Sequence, residues 1–281
     1  MSIFQNFVGI NQGKKSNNLK HIKLTEGCGY YIVEDFIPLK DLKKIHNDLL
    51  FLEKKQFINN KIATNSSEYG QIRLPFLSSY SIRNLLSSKM ILKLVKDHLV
   101  GNGICHLLNG QIVRSACEHN QSLWHRDFNK VHISSPIMSF NTLFILGEYL
   151  DINNFSTLQK KHRFEIIPRS QLSYGTPTKS LLEEKEIISF SPGSILVFNS
   201  QLWHRVQSNN NDQLFLNMMF TEPFIKQQIN LLGSTKEWIE KYSNPESDLA
   251  RILGWWSRSP ADLNEFRNPP NNVRTYRSGQ G

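Results

Sequence analysis

Leu42, Ile45, Leu49 and Leu52 recur three and four residues apart, while Lys43, Lys44, Asn47 and Asp48 fall between them. That spacing predicts an amphipathic helix with one apolar face laid on a sheet. Pro38 suits its first turn, where a missing N–H leaves nothing unsatisfied. Upstream, Gly29 to Phe36 is rich in aromatic and β-branched residues and predicts a strand. A second helix, from about Ser87 to His98, carries Ile91, Leu94 and Val95 on one face and stops at Gly101. His46 and His98 fall on these helices and read as surface residues rather than ligands.

From Ile104 to Phe220 the period shortens. The runs Gln111 to Arg114, Leu123 to Phe128, Asn141 to Leu146, Phe164 to Ile167, Ser194 to Phe198 and Leu214 to Phe220 read as strands separated by turn residues. Short strands so spaced predict a sandwich or barrel, hence a mainly β chain with flanking helices. Beyond them, Ser234-Thr235-Lys236-Glu237 reads as a capping box opening a helix, and a further helix is expected over about Glu246 to Leu253, ended by Gly254. The division expected is one domain over 1–256 and a tail over 257–281. Pro260, Pro269, Pro270, Arg258, Arg267, Arg274 and Arg277 give that tail little apolar period. Trp255, Trp256, Phe266 and Tyr276 favour a strap laid over the domain, because large aromatics are costly to leave in water.

The chain has 281 residues, 39% hydrophobic and 20% charged, and no apolar run approaches a membrane span. Met1 to Lys20 lacks an apolar core and a small-residue cleavage site, so a cytoplasmic location is expected. Cys28, Cys105 and Cys117 fit neither a disulfide scaffold nor a zinc ribbon and read as reduced thiols. The net charge of +9 is spread over separate Lys pairs and the Arg-bearing tail. Such a charge suits nucleic acid, an anionic membrane surface or an anionic small substrate, but spread in this way it reads first as a solvated basic surface; with no groove-reading motif, a nucleic-acid partner is not expected, nor is a membrane.

The candidate chemistry lies in Trp124-His125-Arg126-Asp127-Phe128 and in Phe198 to His204. In an extended strand His125 and Asp127 point to one side while Arg126 faces away. With His204 as a third ligand they form two imidazoles and one carboxylate, a set that suits non-haem Fe(II) and O₂.

These residues sit in an order that resembles the phytanoyl-CoA dioxygenase group of Fe(II) and 2-oxoglutarate dependent oxygenases. Gly29-Tyr30-Tyr31-Ile32-Val33 with the Leu42 helix is similar to the family's start, and Trp124-His125-Arg126-Asp127 to its metal motif. Ile166-Ile167-Pro168-Arg169-Ser170-Gln171 resembles a worn Pro-Gly-Ser-His turn, and Pro192-Gly193-Ser194 through Trp203-His204 the strand that leads to the second metal histidine. The resemblance implies a double-stranded β-helix of the jelly-roll or cupin kind. It also implies a metal held by His125, Asp127 and His204, and oxidation of 2-oxoglutarate to succinate and CO₂ coupled to attack on a C–H bond of a small or medium-sized metabolite. Asp127, where halogenating relatives carry a small residue, points to hydroxylation.

The resemblance breaks at the co-substrate anchor. Where the family places a carboxylate-binding Arg and a Ser or Thr, this chain has Phe215 and Val206. Arg114, Lys130, Arg163 and Arg205 are the basic replacements available, Arg205 being expected to point away from the metal; Asn141, Thr142 and Asn217 offer neutral hydrogen bonds. A β-helix that only binds or scaffolds is the competing reading. His119, His132 and His162 read as loop residues, and Trp124 and Trp203 as packing beside the metal strands.

Overall fold

The structure is a computed structural model that describes residues 19–61, 63–64, 66, 68–100, 102–114, 120–128, 137–148, 163–207, 212–231, 247–260 and 262–268. Its strands are β1 (Tyr30–Val33), β2 (Gln71–Arg73), β3 (Ile104–Val113), β4 (Ser139–Glu148), β5 (Arg163–Ile166), β6 (Glu186–Ile188), β7 (Ile195–Asn199), β8 (His204–Gln207) and β9 (Gln213–Thr221). Six form one antiparallel sheet in the order β1-β7-β4-β9-β3-β2, and three form a second, β6-β5-β8. Facing antiparallel sheets joined in this order make a double-stranded β-helix, the jelly-roll expected from the resemblance.

Alternation sorts the large sheet's side chains onto two faces. Phe140, Phe144, Leu214, Leu216, Met218 and Phe220 pack outward with Leu42, Ile45, Leu49 and Leu52 of the helix Leu39–Asn60, here α2, the helix at residues 19–25 being α1. Leu143, Ile145 and Phe215 point inward and pack with Phe164 and Ile166 of the small sheet. Gly110 of β3 permits the close approach of α2, since a Cβ there would stand 2.6 Å from a methyl of Leu49.

The helix expected from about Ser87 to His98 is α4 (Lys89–His98), and a further helix that the sequence reading did not anticipate, α3 (Tyr80–Leu86), precedes it. Ser88 separates them because its hydroxyl accepts the Ile91 N–H and so caps α4. His46 and His98 are buried, contrary to their reading as surface residues. His98 lies one turn beyond Leu94 and Val95 and so shares their covered face. Its Nε2 lies 2.6 Å from the Tyr31 hydroxyl and its ring stacks on His21 at 5.9 Å. Burial, reinforced by His21, pushes its pKa down to about 4.

A second correction concerns the strand expected from Leu123 to Phe128. Only His125 pairs, in an isolated antiparallel bridge to His204, and the chain bends at Asp127 and Phe128 so that the Phe128 N–H reaches the Ser200 carbonyl at 3.0 Å. At the edge strand β2, the Gln56 side chain takes both main-chain groups of Arg73, accepting its N–H at 2.9 Å and donating to its carbonyl at 2.8 Å. Near the C-terminus a short helix, Asp248–Ile252, ends at Gly254 and Trp255 is buried in the outer core, while Phe266 is largely exposed. The expected capping box at Ser234 and the tail beyond Asn268 lie outside the described residues. No helix among the described residues is long and apolar enough to cross a membrane.

Candidate metal centre

Two tight segments carry the histidines to the end of the barrel where β4 begins and β7 ends. The His125–His204 bridge sets the two rings side by side, with centroids 4.3 Å apart. Asp127, two residues past the bridge, closes the group. Its Oδ1 lies 3.6 Å from His125 Nε2 and its Oδ2 3.7 Å from His204 Nε2. One donor atom from each of the three residues falls within 4.8 Å of the others, the only such His, Cys, Asp or Glu cluster of three or more among the described residues.

The chemistry of the donors fits a metal. Nδ1 of His125 lies 2.8 Å from the Leu123 carbonyl, and Nδ1 of His204 2.9 Å from that of Leu202. A carbonyl can only accept, so each Nδ1 carries a proton, and in the neutral ring Nε2 then presents its lone pair toward Asp127. The Nε2 of His125 is buried without a hydrogen-bond partner, which a neutral ring tolerates poorly unless something accepts that lone pair. His204 is buried between Phe164, at 5.3 Å, and Phe198, at 4.9 Å. Burial, and then the neighbouring His125, lower its pKa to about 4 against the opposing pull of Asp127, so it stands ready as a neutral ligand at ordinary pH.

Asp127 is oriented from the large sheet. The Asn141 amide donates to its Oδ2 at 2.7 Å and to Asn217 Oδ1 at 3.0 Å, and accepts the Ser200 hydroxyl at 2.5 Å. Asn141 and Asn217, both singled out from the sequence, therefore meet at the site. Ser200 was not anticipated; nothing in its local sequence marks it, since its role depends on β7 ending beside β4.

The other expected anchors go elsewhere. Thr142 alternates with Asn141, turns to the helix side and bonds the Met218 carbonyl at 3.3 Å. Arg114 is committed to two carboxylates, Glu53 at 2.8 Å and Asp212 at 2.7 Å. Arg205 points away from the His125, Asp127 and His204 group, as alternation requires, and pairs with the buried Glu165 at 2.6 Å. Lys130, His119, His132 and His162, and the side chain of Arg163, lie outside the described residues. Phe215 and Val206 both face the barrel interior, buried in one cluster with Val113, Ile145 and Phe164.

No protein-family model matches the sequence. The chain is 27% identical over 279 residues to two uncharacterised proteins, Rv1501 of Mycobacterium tuberculosis and Mb1539 of Mycobacterium bovis, with 95% of this chain and 98% of each relative aligned. Among solved structures it resembles the non-haem α-ketoglutarate dependent epimerase SnoN from nogalamycin biosynthesis, with TM-score 0.55, 10% identity, and 75% of this chain and 82% of that chain covered. AviO1 from Streptomyces viridochromogenes gives TM-score 0.55 and 13% identity, over 74% of this chain and 96% of its own. EctD from S. alaskensis, solved with bound Fe, gives 0.55 and 17% over 69% and 73%. At these identities what the chain shares with the three is a fold.

Proposed function

We propose that the chain is a non-haem Fe(II), 2-oxoglutarate dependent dioxygenase that hydroxylates a small or medium-sized metabolite, as its resemblance to the phytanoyl-CoA dioxygenase group implies. One observation carries this reading: both histidines spend their Nδ1 protons on backbone carbonyls and aim Nε2 at the same carboxylate. His125, Asp127 and His204 would hold the ion, and Asn141 would fix the carboxylate's orientation. Three protein donors leave the other positions of a six-coordinate ion to small ligands, and Fe(II) supplies O₂ chemistry that side chains cannot. SnoN, by name an α-ketoglutarate dependent epimerase, and EctD, solved with bound Fe, support the class.

Phe215 and Val206 favour a second reading, a β-helix that keeps the metal site but no longer turns over 2-oxoglutarate. Burying a dianion beside them without a cation would cost several kcal/mol. Anaerobic Fe(II) titration should show one site that His125→Ala and Asp127→Ala abolish; unchanged affinity in both variants would remove the metal assignment. Succinate release from 2-oxoglutarate and O₂, stimulated by a substrate from a metabolite pool, selects the enzyme. Its absence in folded, iron-loaded protein selects the binding protein.

A further inference from the structure

The sequence carries the triplet Trp-His-Arg twice, as Trp124-His125-Arg126 and Trp203-His204-Arg205, and the fold sets the two copies antiparallel. The bridge at their centre is nearly symmetric: the His125 N–H donates to the His204 carbonyl at 3.1 Å, and the His204 N–H to the His125 carbonyl at 3.0 Å. Around such a pair, the flanking residues face one another on the opposite side of the ribbon. Arg126 accordingly lies over the Trp203 ring at 4.8 Å from its centroid, and Arg205 over the Trp124 ring at 4.7 Å. Each guanidinium is tied down from behind. Arg126 Nη2 donates to the Ser170 and Ser173 carbonyls, both at 2.9 Å, and Arg205 Nε to the buried Glu165. The Ser170 hydroxyl also accepts the Trp203 N–H at 2.8 Å, so one turn anchors both partners of the first pair.

We infer that Arg126, Trp203, Arg205 and Trp124 form a reciprocal clasp of positioning residues that holds His125 opposite His204. The need for it is plain from the backbone. Residues 123–128 form no strand, so one bridge, with two hydrogen bonds, is all the ladder that sets the histidines in register. The two Trp–Arg pairs supply from the outer side of the ribbon what a longer ladder would supply along it. None of the four needs to touch metal or substrate. The clasp's purpose rests on the metal-centre reading, whereas its existence does not.

The test uses Arg126→Met, with Arg126→Lys as the conservative partner that keeps a cation over the ring. Because removing Arg205 alone would strand the Glu165 carboxylate, the second pair is probed with the double variant Arg205→Met/Glu165→Gln. Amide hydrogen exchange on the metal-free chain is expected to speed up about tenfold at His125 and His204, with β4 and β9 unchanged. Fe(II) should bind about tenfold more weakly, and Arg126→Lys should restore most of both. Should Arg126→Met unfold the chain, Trp203→Phe carries the same expectation at smaller amplitude. Wild-type exchange at both histidine amides in both probes overturns the clasp, and faster exchange with unchanged Fe(II) affinity overturns its role in positioning the ligands. A wild-type chain that takes up no Fe(II) sinks the proposed function instead, while the exchange measurement still decides the clasp.

Discussion

At one end of the space between the sheets, Asp127, Asn141, Ser200 and Asn217 form a continuous hydrogen-bonded chain; at the other, Val113, Ile145, Phe164, Val206 and Phe215 close into apolar packing. His204 marks the border, its Nε2 turned toward the carboxylate and its ring held by phenylalanines. The two ends answer to different physics. The polar end spends hydrogen bonds on orienting one charged group, whereas the apolar end is stable because no charge enters it. A candidate metal centre can therefore be well ordered in a barrel whose far wall would be poorly suited to a dianion.

The sharpest way to break this contrast is to put a cation where the packing excludes it. Phe215→Arg should lower stability by ~3–5 kcal/mol in urea denaturation, because a buried guanidinium finds no carboxylate in that cluster. Added 2-oxoglutarate should recover part of the loss. A midpoint equal to wild type would mean that the wall is not closed.

The helix-covered face provides a control away from both ends. His98 is held neutral by burial and by His21, with a folded pKa of about 4 against an ordinary 6.5. The unfolded chain therefore binds the extra proton first: the stability is fully present above pH ~6.5 and is lost as pH falls toward 4, by at most roughly 3 kcal/mol. Comparing wild type with His98→Gln by denaturation at several pH values isolates this contribution; parallel curves would show that His98 does not titrate with folding.

A smaller effect is expected at the polar end. Asn141→Leu removes the donor to Asp127 without touching a ligand, and Fe(II) affinity should fall about 10–100-fold. Calorimetric titration reads this directly, and an unchanged dissociation constant would show that the carboxylate holds its orientation without Asn141.

Much of this was legible before any coordinates. Near-continuous apolar runs in β4 and β9 and the 3.6-residue period of α2 reported burial that is local in sequence, so these elements, and the covered face of α2, followed from pattern. The histidines and Asp127 could be paired because the motifs around them carry their order. Strand alternation is not what brings His125 and Asp127 together, however: a bend and a single bridge do. Thr142 and Arg114 failed as anchors for reasons that spacing does not encode: one lies on the wrong face, and the other meets Glu53 from a helix sixty residues earlier and Asp212 from a loop nearly a hundred residues later. Ser200 and the Trp–Arg pairs likewise exist only where distant segments meet.

The Gln56 amide at the sheet's edge has a consequence for how copies of this chain meet one another. An open edge strand offers its N–H and C=O groups as a template for another strand, the route by which β proteins dock end to end or aggregate. On β2 the donor and acceptor of Arg73 already belong to a side chain of the same molecule, in the geometry a neighbouring backbone would use. With only three residues in the strand, little template remains at this edge of the large sheet.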